Sequence, residues 1–203
     1  MPYTDQTPKP LLMVNGISLL ERNINGLYGA GIRDIVINTS WLGSHIQDFV
    51  TQLELPGLHI TCIHEGETPL GTGGGIFNAL DHLQDGPFWV INADIITSYN
   101  FAPIALAENS LAHLVLVSNP EHNECGDFGL DGDLVLNESS QMHTFSGISY
   151  ISPDIFQGVS QSMFSLAQLL RKFVGLSLVK GELFLGKWLD VGTIERLNKA
   201  DVL

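Results

Sequence analysis

Basic residues are scarce in this sequence. Nine lysines and arginines face 22 aspartates and glutamates, and the formal net charge is −13 over 203 residues. A chain this acidic repels polyanions, so nucleic acid and an anionic membrane are poor partners for it. A small phosphorylated substrate is not excluded, because a bound cation can invert the local field. Cysteine is scarcer still. Cys62 and Cys125 stand alone, with no CxxC and no zinc spacing, which points to a reduced, cytoplasmic setting. Long hydrophobic runs are missing; those present are of strand length, too short to span a bilayer. Residues 1–10 have no apolar stretch and do not form a signal peptide. Several catalytic signatures are missing too. No Gly-Lys-Ser/Thr follows a glycine loop and no GxGxxG occurs. The seven histidines form no HxH or HExxH pair, and Ser146 has no GxSxG elbow, so zinc and serine-hydrolase chemistry are set aside.

What is present is a foldable core. The chain is 44% hydrophobic and only 15% charged, which argues against disorder and for one domain over residues 1–203. Ile17, Leu20, Ile24 and Leu27 follow helical spacing, predicting a helix over 17–28 that Gly29-Ala30-Gly31 stops. Asp34–Asn38 and Leu58–Ile63 read as strands. Between them, Ser44-His45-Ile46-Gln47 has the form of a capping box opening a helix to about Val50. A helix is expected over 76–83, after the glycine cluster. Phe88–Asn92 is nearly all apolar, as for a strand buried on both faces. Leu111–Val117 and Thr144–Ile151 are further strands. Ser165 is placed to cap a helix to Val174, and Thr193 to cap a last one over 194–200. The alternation in the first half predicts an α/β fold with a mostly parallel sheet. Ligands in such sheets sit outside the carboxyl ends of the strands, which would turn Asp94 and the glycine cluster toward one crevice.

Three groups of residues carry candidate chemistry. Leu70-Gly71-Thr72-Gly73-Gly74-Gly75-Ile76 would let a nucleotide lie against bare backbone, with free N–H groups in the helix that follows. The same run would also serve as a plain flexible turn. Asp94 and Asp190, each at a strand end, suit a hard cation such as magnesium, which takes one or two carboxylates plus water and phosphate oxygens. Each is also an ordinary turn residue. Lys9 stands between Pro8 and Pro10, which push Thr7 and Lys9 toward extended backbone. It could neutralise phosphate charge, or be a surface lysine in a rigid entry segment.

Taken in order, the phrases Thr7-Pro8-Lys9-Pro10-Leu11, Pro69–Ile76, Asn92-Ala93-Asp94, Phe145-Ser146-Gly147-Ile148 and Trp188-Leu189-Asp190-Val191-Gly192-Thr193 resemble the sugar-phosphate nucleotidyltransferases over essentially the whole chain. The triple glycine, Cys125–Phe128 and Thr144–Ser149 narrow the resemblance to the bacterial branch that uridylylates N-acetylmuramate-1-phosphate in cell-wall sugar recycling. The resemblance implies a three-layer α/β sandwich with a mainly parallel central sheet, of Rossmann-like nucleotidyltransferase type. It implies substrates UTP and a sugar-1-phosphate, with Mg2+ held by Asp94 and Asp190 and Lys9 on phosphate. It places Gly71, Thr72, Gly73, Gly74 and Asn92 along the nucleotide, and Asp127, Ser146 and Gly147 near the sugar. Transfer of GTP or dTTP to mannose- or glucose-1-phosphate stays open, as does a silent sugar-nucleotide-binding regulator. Against the family pattern, the first strand and the GxGxRMxPxT phosphate loop are absent; Pro2-Tyr3-Thr4 matches only the loop's tail. The expectation is weak activity for residues 1–203, unpaired edges on the neighbours of the absent strand, and a tendency to self-associate.

Overall fold

The computed structural model describes residues 7–66, 70–83, 86–160, 163–193 and 195–197. They fall into two compact units. One comprises residues 1–69, 93–103 and 189–203; the other comprises residues 70–92 and 104–188.

The first unit opens with a short 3-10 turn, Lys9–Leu11, closed by Leu12 N–H donating to the Lys9 carbonyl at 3.0 Å. Lys9 is therefore folded into a turn, not extended as its flanking prolines suggested. A two-stranded ladder follows, β1 (Met13–Val14) and β2 (Ile17–Ser18), and then helix α1 (Leu19–Gly29). The helix starts two residues later than its apolar spacing predicted, because Ser18 is the cap and accepts from Glu21 N–H at 3.1 Å. Ile17 belongs to the strand and is exposed. Strand β3 (Asp34–Thr39), helix α2 (Gly43–Thr51) and strand β4 (His59–His64) form a β-α-β unit whose strands pair in parallel. The expected capping box at Ser44 does not form: α2 begins at Gly43 behind Leu42, which sits in left-handed backbone at φ 58°. Leu20, Ile24 and Ile46 are buried against Ile35, Ile37, Ile60 and Cys62. A second cluster joins Val14, Leu19 and Val191. Two later strands of this region pair with each other, β6 (Ile95–Thr97) and β12 (Trp188–Asp190).

The second unit is built on a six-stranded sheet. Its strands are β5 (Phe88–Ile91), β7 (Ala112–Val117), β8 (Phe128–Asp131), β9 (Leu134–Leu136), β10 (Met142–Ile151) and β11 (Val179–Leu183), in the order β5-β10-β7-β11-β9-β8. The start of β10 also pairs with β8, so the ladder returns on itself. The mostly parallel sheet expected from the sequence is corrected here. Only β11 runs parallel to its neighbour β7, while β10 is antiparallel to β5, β7 and β8. The reason is the connections: β8, β9 and β10 follow one another without an intervening helix, which permits only antiparallel return. The helix α4 (Leu166–Val174) leads into β11, which forms the parallel pair of this sheet with β7. Ser165 caps α4 as predicted, accepting from Gln168 N–H at 3.2 Å. The core packs Leu114, Leu116, Phe128, Ile151, Leu170 and Val179, all fully buried.

Strand β5 is half-buried along its length, not enclosed on both faces. Among the described residues it has a partner on one side only, and a strand at a sheet border loses the cover a neighbour would give. Among the described residues, the edge of β3 away from β4 and the edge of β5 away from β10 carry no strand. No helix among them is long and apolar enough to cross a membrane.

Candidate active site

The first unit brings Lys9, Asp94 and Asp190 together. Pairing of β6 with β12 sets their ends side by side, and Val191 N–H donates to the Asp94 carbonyl at 2.9 Å. The two carboxylates thus leave the backbone on either side of one interstrand hydrogen bond. Both are half-buried and both are engaged by a cation. Lys9 Nζ lies 2.5 Å from Asp94 Oδ2, and Arg196 Nη1 lies 2.9 Å from Asp190 Oδ2. The other Asp190 oxygen, Oδ1, accepts from Gly192 N–H at 2.6 Å. Arg196 is in turn tied to Thr193, whose hydroxyl accepts from the Arg196 backbone N–H at 3.3 Å. That is the cap expected at Thr193; residues 194 and 198–200 of the expected last helix lie outside the described residues. The donor set fits magnesium: two aspartates on adjacent strand ends, partly open to solvent, leave room for phosphate and water oxygens. Among the described residues no cluster of three or more His, Cys, Asp or Glu side chains could hold a metal, so an ion here would draw on ligands beyond these two carboxylates. Sequence reasoning missed Arg196. The signal was the basic side chain three residues beyond a helix-capping threonine.

The second unit holds the remaining candidates in two places. The glycine run is not a loop ahead of a helix. It is the helix: α3 spans Gly71–Ala79, with Gly73, Gly74 and Gly75 buried. The segment leading into α4 packs on its first turn. Gly73 and Gly74 N–H both donate to the Phe164 carbonyl, at 3.1 and 3.2 Å, and Leu166 N–H donates to Thr72 Oγ1 at 3.1 Å. These amides, expected to be free for a nucleotide, are occupied. The close approach also explains the composition. A Cβ at Gly71, where φ is +73°, would lie 2.7 Å from the Phe164 carbonyl oxygen, and one at Gly73 would overlap the Phe164 ring. Glycine here makes room for Phe164.

Asn92, Asp127, Ser146 and Gly147 gather around an irregularity in β10 between Phe145 and Ile148. Ser146 is buried; its hydroxyl donates to the Val115 carbonyl at 2.7 Å and accepts from Ile148 N–H at 3.1 Å. Gly147 sits at φ +78° with Asn92 against it, so a Cβ there would come 2.6 Å from Asn92 Nδ2. Asn92 N–H donates to the Gly147 carbonyl at 3.0 Å, and the Trp188 indole donates to the Ser146 carbonyl at 2.9 Å. Asp127 Oδ2 accepts from Phe145 N–H and from Asn123 Nδ2, at 2.9 and 3.0 Å. The bulge takes two residues out of the regular ladder, and Ser146 fixes its shape from within.

Residues 1–146 match the family model described as nucleotidyl transferase. An N-acetylmuramate alpha-1-phosphate uridylyltransferase of Neisseria meningitidis is 39% identical over 100% of this chain and 91% of that protein. One of the same name from Caulobacter vibrioides is 28% identical over 94% and 86%. A crystal structure of HddC from Yersinia pseudotuberculosis complexed with GMP-PN superposes with a TM-score of 0.80 at 25% identity, covering 97% of this chain and 89% of that one. The chain belongs to the nucleotidyl transferase family, as a sugar-1-phosphate nucleotidyltransferase.

Proposed function

We propose that the protein transfers a uridylyl group from UTP to N-acetylmuramate-1-phosphate, releasing pyrophosphate, in the recycling of cell-wall sugar. The substrate pair is supported by the similarity along the whole chain to the Neisseria relative of that activity. The chemistry is supported by one observation: Lys9, Asp94 and Asp190 meet where β6 pairs with β12.

An oxygen of the sugar phosphate attacks the α-phosphorus of UTP, the bond to pyrophosphate breaks, and pyrophosphate leaves. Both reactants are anions, so the protein must hold them together and offset their charge. Asp94 and Asp190 would hold magnesium, which when bound supplies charge neutralisation on phosphate oxygens. Lys9 would contribute a compact positive charge to phosphate. In the second unit, the first turn of α3 would carry the nucleotide through Gly71, Thr72, Gly73 and Gly74, with Asn92 alongside. The engaged amides of Gly73 and Gly74 leave Gly71 and Thr72 as its better placed contacts. Ser146 is spent on the backbone of its own bulge, so sugar contact would fall to the Gly147 backbone and to Asp127. No covalent enzyme intermediate is required.

Pyrophosphate release from UTP, GTP and dTTP against N-acetylmuramate-, mannose- and glucose-1-phosphate tests this. UTP with N-acetylmuramate-1-phosphate should give the highest kcat/KM. A preference for GTP, the reading favoured by the guanine nucleotide in the HddC structure, or for dTTP would overturn the substrate assignment.

A further inference from the structure

The Asp190 carboxylate is held on both oxygens. Gly192 N–H donates to Oδ1 at 2.6 Å and Arg196 Nη1 to Oδ2 at 2.9 Å. The arrangement is built around Gly192. A Cβ there would overlap Arg196 Nη2, and would lie 3.0 Å from Arg196 Cζ and 2.8 Å from Asp190 Oδ1. The guanidinium therefore lies across residue 192, in space that only glycine leaves open. Thr193 fixes the arginine from the other side, its hydroxyl accepting from Arg196 Nε at 3.4 Å. The Asp94 carboxylate carries Lys9 in the same way. Among the described residues each carboxylate carries a base, which weakens its attraction for a bare divalent cation. A cation bound to a triphosphate brings its own negative charge, to which both bases can turn.

We infer that Arg196 is a further residue of this site, the counter-ion that orients Asp190 and keeps a bare divalent cation off it, so that the cation enters with the triphosphate. The inference rests on Asp190 as a cation ligand, as proposed above. Two effects of Arg196 on cation binding oppose each other. Orienting one carboxylate saves about one side-chain rotor of entropy. A single positive charge a few ångströms from a double one is repelled more strongly than that saving, even at the effective dielectric of a protein surface. Repulsion therefore governs the bare cation, and orientation governs turnover.

The test is Mn2+ binding without nucleotide, followed by electron paramagnetic resonance, on the wild type, R196Q, R196K, G192A and D190N. Thermal melts verify that each is folded. R196Q should bind bare Mn2+ about 3- to 10-fold more tightly than wild type, with the difference shrinking in salt. R196K keeps the charge and should match wild type. G192A, which displaces the guanidinium without removing it, should shift in the direction of R196Q; it carries the test should R196Q fail to fold. With magnesium and UTP, kcat of R196Q should fall about 10- to 100-fold, with R196K between R196Q and wild type. Bare Mn2+ binding in R196Q or G192A no tighter than in wild type and R196K overturns the inference. Unchanged Mn2+ binding and turnover in D190N would instead remove Asp190 as a cation ligand, and the proposed chemistry with it.

Discussion

At the scale of single residues, the site is an exercise in charge pairing on an acidic protein. Lys9 is one of nine basic side chains against 22 acidic ones, yet it is directed to one carboxylate. Replacing it by methionine should lower kcat roughly 100- to 1,000-fold. Melting should barely change, because a partly exposed ion pair is worth only about 0–1 kcal/mol; steady-state kinetics beside a melt separate the two. Asp127, proposed above as a sugar contact, should move stability as well as turnover. Its carboxylate holds Phe145 N–H and Asn123, so Asp127→Asn should cost about 1–3 kcal/mol of stability, read from a urea titration. Cys62 and Cys125 provide a pH test. Burial raises the Cys62 thiol above its ordinary range, whereas Cys125 is exposed. The thiolate is the reactive form, so iodoacetamide at pH 8 should label Cys125 first, as mass spectrometry would show. Because the folded form keeps the Cys62 proton longer than the unfolded chain does, the stability this group contributes is full below the ordinary thiol range. It is lost as pH rises through the raised value.

At the scale of elements, the glycine-rich stretch shows best what a sequence displays and what it hides. The density of glycine was visible and the fact of a close approach was inferable. The approaching group was not: Phe164 is far away in sequence, and nothing local to Gly71–Gly75 says whether backbone or ligand fills the space. A Gly71→Ala change should cost about 1–3 kcal/mol, since it strains a positive φ and meets a carbonyl. That is a fall in Tm of roughly 3–10 °C by differential scanning fluorimetry. Strands β3 and β4 were legible from their β-branched runs, and α4 from its cap and apolar spacing. Short strands β6, β8 and β9 are not legible as strands, because three or four residues give periodicity too few positions to register. Parallel pairing is legible in the first half, where β3 and β4 flank α2. The second half follows hairpin logic instead. Of the candidate site, the two aspartates and Lys9 were readable as residue types at strand and turn positions. Their meeting depends on the pairing of β6 with β12, which no local pattern encodes.

At the scale of the whole molecule, two features oppose each other. The edges of β3 and β5 that carry no strand among the described residues would offer backbone donors and acceptors to a second chain. The net charge of −13 keeps copies apart. Raising ionic strength from about 20 to 300 mM cuts the Debye length several-fold and should bring out concentration-dependent association in sedimentation velocity. A weight-average mass independent of salt and concentration would show that the edges are not available. The hydrogen bond from Val191 to Asp94 has a consequence in time as well as in space. During synthesis Lys9 and Asp94 leave the ribosome together with α1, β3 and β4, and their ion pair, 85 residues apart, can close early. Asp190 and Arg196 emerge later, and β6 lacks its pairing with β12 until they do. Such late, long-range pairing is slow to form. A nascent chain therefore carries half of this charge constellation until β12 is made, and the other half is placed only when β12 docks on β6.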